Sequence, residues 1–276
     1  MQFAFSEEQE MLRRDVRRYL AAHYPETAEW DRSEWQELAK LGWTGVSVPE
    51  SAGGSGLGLI DEAVVFEEFG RARYPGPFVT AVGLALPALD SDQLARLAAG
   101  EATYSVAFDD LPAPDKELVD EVVTVSDPQV AAAVRQRGFA ALALESVGIA
   151  QRVLEIGVEH ARTRKQFGKP IGVYQAVSHK LADTYVETEL ARSLAYWAAW
   201  CVSEGEKDAA LAAVSAKAYA ADAAVAACER SIQVLGGLGM TWEHVLHRYY
   251  KRALAIQAFG GYAQRQRAFV ASALLD

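Results

Sequence analysis

The chain has 276 residues, of which 51% are hydrophobic and 23% charged, the composition of an ordinary globular protein with room for one large domain or two smaller ones. A formal net charge of −10 and no evident basic face exclude the electrostatic footprint of a nucleic-acid binder. The start, Met1 to Met11, lacks the basic and apolar regions of a signal peptide, and no apolar run reads as long enough to cross a membrane, so a cytoplasmic protein is expected.

Ser6 followed three places later by Gln9 is a capping-box start. Leu12, Val16, Tyr19 and Leu20 then recur at helical spacing, which predicts a helix over 6–22. A second helix, Ser33–Leu41, carries Trp35, Leu38 and Leu41. After a glycine-rich loop from Pro49 to Gly58, a third helix, Ile60–Arg71, stops ahead of Pro75 and Pro77. Two shorter helical segments run up to Gly100. Thr103–Phe108 and Glu121–Val125 are β-type runs separated by a turn-rich stretch, Asp109–Lys116. Two such strands are marginal in water and must pack on something. Beyond residue 131 abundant Ala favours helix, and long helices are expected over 136–164, 174–204, 207–235 and 242–273, the last broken at Gly260-Gly261. Glycines at 168–172, 205 and 236–239 punctuate them. Long helices with short connections make a bundle. The expected division is 1–100 helical, 101–135 a short β segment, and 136–276 a helical bundle.

Two segments carry more than this pattern. Arg162-Thr163-Arg164-Lys165 puts cations at a helix C-terminus, where they complement the dipole. That accounts for the charge, but not for Gln166-Phe167-Gly168-Lys169-Pro170 or for Gln175. Gln233-Val234-Leu235-Gly236-Gly237-Leu238-Gly239 reads first as a helix end, although adjacent glycines also let a backbone approach a ligand closely. No strand precedes it, so it is not a dinucleotide fingerprint. Gly53–Gly58 fails the same test, lacks a P-loop lysine and reads as a turn. His23, His160, His179, His244 and His247 show no convincing metal-ligand spacing, and nothing resembles G-x-S-x-G. Cys201 and Cys228 lie in Ala-rich helical surroundings and read as core thiols.

In order along the chain, these motifs resemble the acyl-CoA dehydrogenase family. The resemblance runs through Phe5–Gln9, Leu41-Gly42-Trp43, Pro49–Gly54, Val65–Gly70, Gly148-Ile149-Ala150, Arg162–Gly168, Gln175–Asp183 and Gln233–Gly239. It implies a mainly α fold with an N-terminal helical domain, a vestigial middle β segment in place of the family's barrel, and a C-terminal four-helix bundle. It further implies FAD held between domains and across a subunit interface. Arg164 would meet the FAD pyrophosphate of a neighbouring subunit, a role suited to a guanidinium. Phe167 and Tyr174 would lie near the adenine, with Gln166 and Gln175 close by. Gln233, Gly236 and Gly237 would run along the diphosphate and adenosine, and Gln264 falls where the last helix touches the flavin.

Two departures shape the functional expectation. Residues 101–135 cannot build a barrel and lack the Thr-Glu and Gly-Ser-Asp elements that hold the isoalloxazine ring. The chemistry, proton removal α to a thioester with hydride leaving the β-carbon, needs a carboxylate at the α-carbon. The usual position of that Glu is Gly260 here, and the alternative position is Gly138. A substrate-binding Arg of relatives falls on Phe139. Glu145 is the best remaining carboxylate of that region. The resemblance therefore implies a flavoprotein subunit for α,β-dehydrogenation of an acyl thioester in lipid or steroid metabolism. It would pair with a longer, base-bearing homologue, as in heteromeric bacterial relatives of steroid side-chain breakdown, or assemble as a homodimer or tetramer, and pass electrons to an acceptor. The alternatives are a repurposed non-redox enzyme of cyclase or lyase type, and a non-catalytic scaffold subunit.

Overall fold

The computed structural model describes residues 5–108 and 111–275. Residues 1–4 and the first two residues of the expected Asp109–Lys116 turn lie outside the described residues. Helix α1 (Glu7–His23) starts at Ser6, whose hydroxyl accepts from the Gln9 N–H while the Gln9 side chain accepts from the Ser6 N–H. It buries Val16 and Leu20. Helix α2 (Ser33–Lys40) buries Trp35 and Leu38 but leaves Leu41, expected on the same face, exposed beyond its end. Helix α3 (Leu59–Ala72) is buried almost all round and ends at Arg73 in the left-handed conformation. A fully buried π-helical segment, Val79–Ala85, and helix α4 (Ser91–Ala98), capped by Asp90, complete this part. Phe69 stacks on Phe78 at 3.8 Å between ring centres, with Trp35 and Phe66 against the same ring. Each such ring contributes on the order of 1.5–3 kcal/mol by leaving water.

The middle segment is two strands, β1 (Tyr104–Ala107) and β2 (Glu121–Thr124), paired in parallel with Tyr104 opposite Glu121. Parallel strands cannot be joined by a tight turn, so the stretch between them is a crossover. The pair survives because Tyr104 and Val106 are buried against the π-helical segment.

Helix α5 (Pro128–Thr163) begins at Pro128 rather than near 136. The Asp127 carboxylate accepts from the N–H groups of Gln129 (2.8 Å) and Val130 (3.0 Å), and Pro128 occupies the first turn, where its missing N–H costs nothing. Helix therefore covers residues 128–135, of which 131–135 are expected from the sequence to be helical, although the long helix is expected only from near 136. A two-residue hairpin, β3 (Lys165–Gln166) and β4 (Lys169–Pro170), reverses the chain. It leads into α6 (Gln175–Ser203), α7 (Ala209–Leu235), α8 (Leu246–Ala258) and α9 (Ala263–Leu275). The break before α9 falls at Gly260-Gly261, as expected. Because α8 starts at Leu246, His244 precedes it, and the two histidines do not share a helix.

Short connections make α5 and α6, and α6 and α7, antiparallel, so α5 and α7 run the same way. Helices α5, α6 and α7 pack on one another, and α8 and α9 on α7. The α6–α7 contact is built from Ala191, Ala195 and Ala198 facing Ala-rich α7. Helix α3 crosses α5 where Gly70 and Gly148 meet backbone: a Cβ at either would lie about 2 Å from the carbonyl oxygen opposite, 2.1 Å for Gly70 and 1.9 Å for Gly148. One reading from sequence is corrected here. Ala209–Met240 is long and apolar enough to cross a membrane, but 67% of its most apolar window is buried inside the bundle, so it is the core helix. Cys201 and Cys228 are buried free thiols whose pKa values burial raises.

Candidate functional site

The hairpin after α5 gathers the first group of expected ligand residues. Arg164 is the C-cap of α5; its N–H donates to the His160 carbonyl and its own carbonyl accepts from the Ile171 N–H, each at 2.9 Å. The Arg164 side chain is exposed and makes no hydrogen bond or ion pair with a described residue. Phe167 and Gly168 both have positive φ (52° and 78°), the two central positions of a type I′ turn. A bulky residue there is strained, and Phe167 is also 92% exposed. The Tyr174 ring meets Phe167 edge-on at 6.5 Å, and its hydroxyl donates to the Gln166 carbonyl (3.3 Å). Gln175 opens α6, exposed beside them.

Gln233, Gly236 and Gly237 are exposed at the C-terminal end of α7, and open space surrounds a Cβ built on either glycine. They lie at the same end of the bundle as the hairpin. A small core of Leu154, Ala161, Leu181 and Val234, with Ile171 packed on it, joins the two groups. A strained, exposed Phe167 with Tyr174 beside it, an exposed guanidinium and a bare diglycine edge are the kinds of group that could hold a nucleotide diphosphate: a planar stacking surface, a bidentate cation and close backbone approach.

Gln264 is not part of this group. It is exposed on α9, which packs near the other end of α7. There a cavity of about 470 Å³ opens between the N-terminal parts of α5 and α7, the α8–α9 turn and Leu84. Val214 in its wall and Gln233 are separated by roughly 30 Å along α7 at 1.5 Å per residue. Its lining is apolar, with Phe108, Phe139, Phe259 and Phe269, and Arg135 and Arg265 at its edge. Gly138 and Gly260, the two positions at which the family resemblance would expect a base, both line it. At either one a Cβ would require a neighbouring side chain to shift. A Cβ at Gly260 (φ +71°) would lie 2.7 Å from Cζ and 2.8 Å from Cε1 of Phe139, and one at Gly138 would lie 2.7 Å from Cγ of Leu84. A second cavity of about 320 Å³ shares Leu84, Leu111 and Phe259 with the first and includes Asp115 and Arg252 in its wall.

Glu145, the remaining carboxylate candidate, is corrected by the structure. It is 6% exposed and absent from the wall of the large cavity. Arg252 grips both its oxygens, Nε to Oε1 at 2.6 Å and Nη2 to Oε2 at 3.0 Å, and reaches Asp115 at 3.1 Å. Asp115 also accepts from the Thr80 hydroxyl. Burial alone would raise the Asp115 pKa, but Arg252 and Thr80 outweigh it and hold it below the ordinary carboxylate range. Burial likewise opposes the Arg252 charge, and Asp115 and Glu145 outweigh that too. This bidentate network ties the crossover of the middle segment to α5 and α8; it is not a poised base.

Sequence reasoning passed over Lys217 and Gln266. Lys217 is 1% exposed and Gln266 4% exposed, both next to the α8–α9 turn. Lys217 was detectable as an isolated charge in an otherwise alanine-rich core helix. Nothing in the pattern distinguished Gln266 from Gln264.

Two helical units around a core crossing of α3 and α5, with a strand pair between them, define the acyl-CoA dehydrogenase type of fold. The chain belongs to the acyl-CoA dehydrogenase family: its C-terminal domain model matches residues 135–275 and its N-terminal domain model residues 6–91. The acyl-CoA dehydrogenase IpdE2 of Mycobacterium tuberculosis is 32% identical over 90% of this chain and 91% of its own length. Acyl-CoA dehydrogenase FadE34 of the same organism is 34% identical over 81% of this chain but 39% of its own length. Among solved structures, the ChsE4–ChsE5 complex from Mycobacterium tuberculosis superposes with a TM-score of 0.88 at 23% identity, covering 100% of this chain and 99% of the other. A variant of the Tcur3481–Tcur3483 steroid acyl-CoA dehydrogenase does so at 0.87 and 24%, covering 97% and 98%.

Proposed function

We propose that this chain is the base-less subunit of a flavin-dependent acyl thioester dehydrogenase, contributing the adenine half of an FAD site to a longer, base-bearing homologue in the cytoplasm. The observation that carries this is a contrast within one molecule. The half-site at the hairpin stands exposed and unengaged, whereas both base positions are filled by Phe139 and Leu84. Arg164, Phe167, Tyr174, Gln175 and the Gly236-Gly237 edge would hold the diphosphate and adenosine of FAD, with Gln166 and Gln233 beside them. When bound, FAD supplies the acceptor for hydride leaving the β-carbon, and a partner carboxylate takes the α-proton. The short strand pair offers no barrel to cover an isoalloxazine ring, so that end belongs to the partner. Two structural neighbours are named as pairs of unlike components, one of them a steroid enzyme, which supports a heteromeric assembly acting on a lipid or steroid-derived acyl group. Gln264, at the far end of α7, would touch a flavin only from a different copy of the half-site.

Co-expression with a base-bearing homologue tests this. The expected result is co-elution, with flavin absorbance in the complex and none in the chain alone. A chain that binds stoichiometric FAD by itself overturns the half-site reading. A colourless complex, or turnover of a polycyclic substrate without any electron acceptor, favours the non-redox alternative.

A further inference from the structure

The Gly260-Gly261 turn is a cavity wall and also the only covalent link between α8 and α9. Both glycines have positive φ, 71° and 92°, so their backbone has little intrinsic preference and must be held from outside. Helix α9 buries Ala263 and Gln266. The last carbonyls of α8 have no intrahelical partner. Two buried donors converge on this link, Lys217 reaching the Gln257 carbonyl in the last turn of α8 and both reaching the Gly261 carbonyl beyond it. Lys217 Nζ, from α7, donates to the Gln257 carbonyl at 3.0 Å and to the Gly261 carbonyl at 3.4 Å. Gln266 Nε2 donates to the same Gly261 carbonyl at 2.8 Å. The Lys217 ammonium also sits 5.9 Å from the centre of the Phe139 ring, whose edge abuts Gly260.

We propose that Lys217 is a positioning residue for the cavity: with Gln266 it sets where the Gly260-Gly261 turn stands against Phe139, and so fixes the wall the acyl group would meet. Its importance for substrate rests on the acyl-site reading above; the placement of the turn does not. A cation suits the negative end of α8. Among the described residues no ion pair to Lys217 is formed; the charge acting on it, Asp222 of its own helix, is bound by Gln257 Nε2 at 2.9 Å and Arg267 of α9 at 2.7 Å. Helix α5 presents the Phe139 ring to it. Burial lowers the Lys217 pKa to about 8, which marks a group kept in the interior for its hydrogen bonds.

Hydrogen-exchange mass spectrometry of the full chain tests the proposal, comparing wild type with Lys217→Met, Lys217→Arg and Gln266→Leu. In Lys217→Met, exchange over residues 257–266 should rise by about tenfold or more, the equivalent of one charge-assisted hydrogen bond. Exchange in the middle of α5 and α7 should stay unchanged. Lys217→Arg, which keeps a donor cation, should restore most of that protection, and Gln266→Leu should loosen the same segment. Unchanged exchange over 257–266 in Lys217→Met overturns the proposal, and so does an equal rise through every helix that Arg does not rescue. If Lys217→Met does not fold, unaltered protection of the turn in Gln266→Leu overturns it. None of these measurements requires a partner or flavin, so failure here is separate from failure of the subunit reading.

Discussion

Restoring the missing base should not restore an enzyme. Gly260→Glu places a side chain where φ is +71° and where the β-carbon alone overlaps Phe139 at 2.7–2.8 Å. The left-handed backbone costs a non-glycine residue about 1–2 kcal/mol, and overpacking against an aromatic ring adds about 1–3 kcal/mol. Together these remove roughly 2–5 kcal/mol, a large share of the ~5–15 kcal/mol that holds a domain folded. At about 2–4 °C per kcal/mol for a chain of this size, Tm should fall by roughly 4–20 °C. Gly260→Ala should already show most of the loss, because the β-carbon makes the overlap. The assay is thermal unfolding of wild type, Gly260→Ala and Gly260→Glu, followed by acceptor-linked dehydrogenation of an acyl-CoA by the chain alone. A Gly260→Glu protein with wild-type Tm and acceptor-dependent turnover would refute the claim that Phe139 closes this position.

Arg164→Ala should leave thermal stability within about 0.5 kcal/mol of wild type, since its side chain is exposed, while the complex with a base-bearing homologue loses most of its FAD; undiminished flavin content would remove Arg164 from the site. Glu145→Gln should destabilise by about 2–3 kcal/mol in urea unfolding, less than the ~3–5 kcal/mol of a fully broken buried pair, because Arg252 retains Asp115; it should not alter the pH dependence of turnover in a partnered complex. Asp115 has a depressed pKa in the folded chain, so its contribution to stability is present above the unfolded carboxylate value and is lost as pH falls through the folded one; Asp115→Asn should flatten the acid limb of a stability profile, and an unchanged limb would show the Arg252 contact to be weak. Lys217 works in the opposite sense. Its folded pKa of about 8 lies below the ordinary lysine value of 10.5, so the unfolded chain binds more protons between those values and the wild type should gain stability over Lys217→Met as pH rises through that window; a difference independent of pH would contradict a buried, titrating amine.

Local signals in the sequence were sufficient for the helices and for the end of the bundle where the proposed half-site lies. The Ser6–Gln9 box, the prolines after Arg73 and the glycines at 168, 205 and 236 act within a few residues of themselves, so their effects could be read directly. The motif order alone was enough to indicate the family, and the expectation that a base would fall on Gly260 or Gly138 came from that resemblance. The start of α5 was misplaced because Asp127 and Pro128 form a cap whose strength lies in backbone hydrogen bonds, not in the apolar pattern that follows. The sequence reading also missed that α7 is long and apolar enough to span a membrane; an apolar core helix and a spanning one have the same composition, and only the neighbours that bury it tell them apart. Why the base cannot simply be put back was decided in three dimensions, where Phe139 and Leu84 come from different elements to occupy the space. The same holds for Glu145, which the sequence presents as a lone carboxylate and the fold pairs with an arginine 107 residues away. A chain encodes its turns and caps locally, but the partner of a buried charge is set by which helices cross.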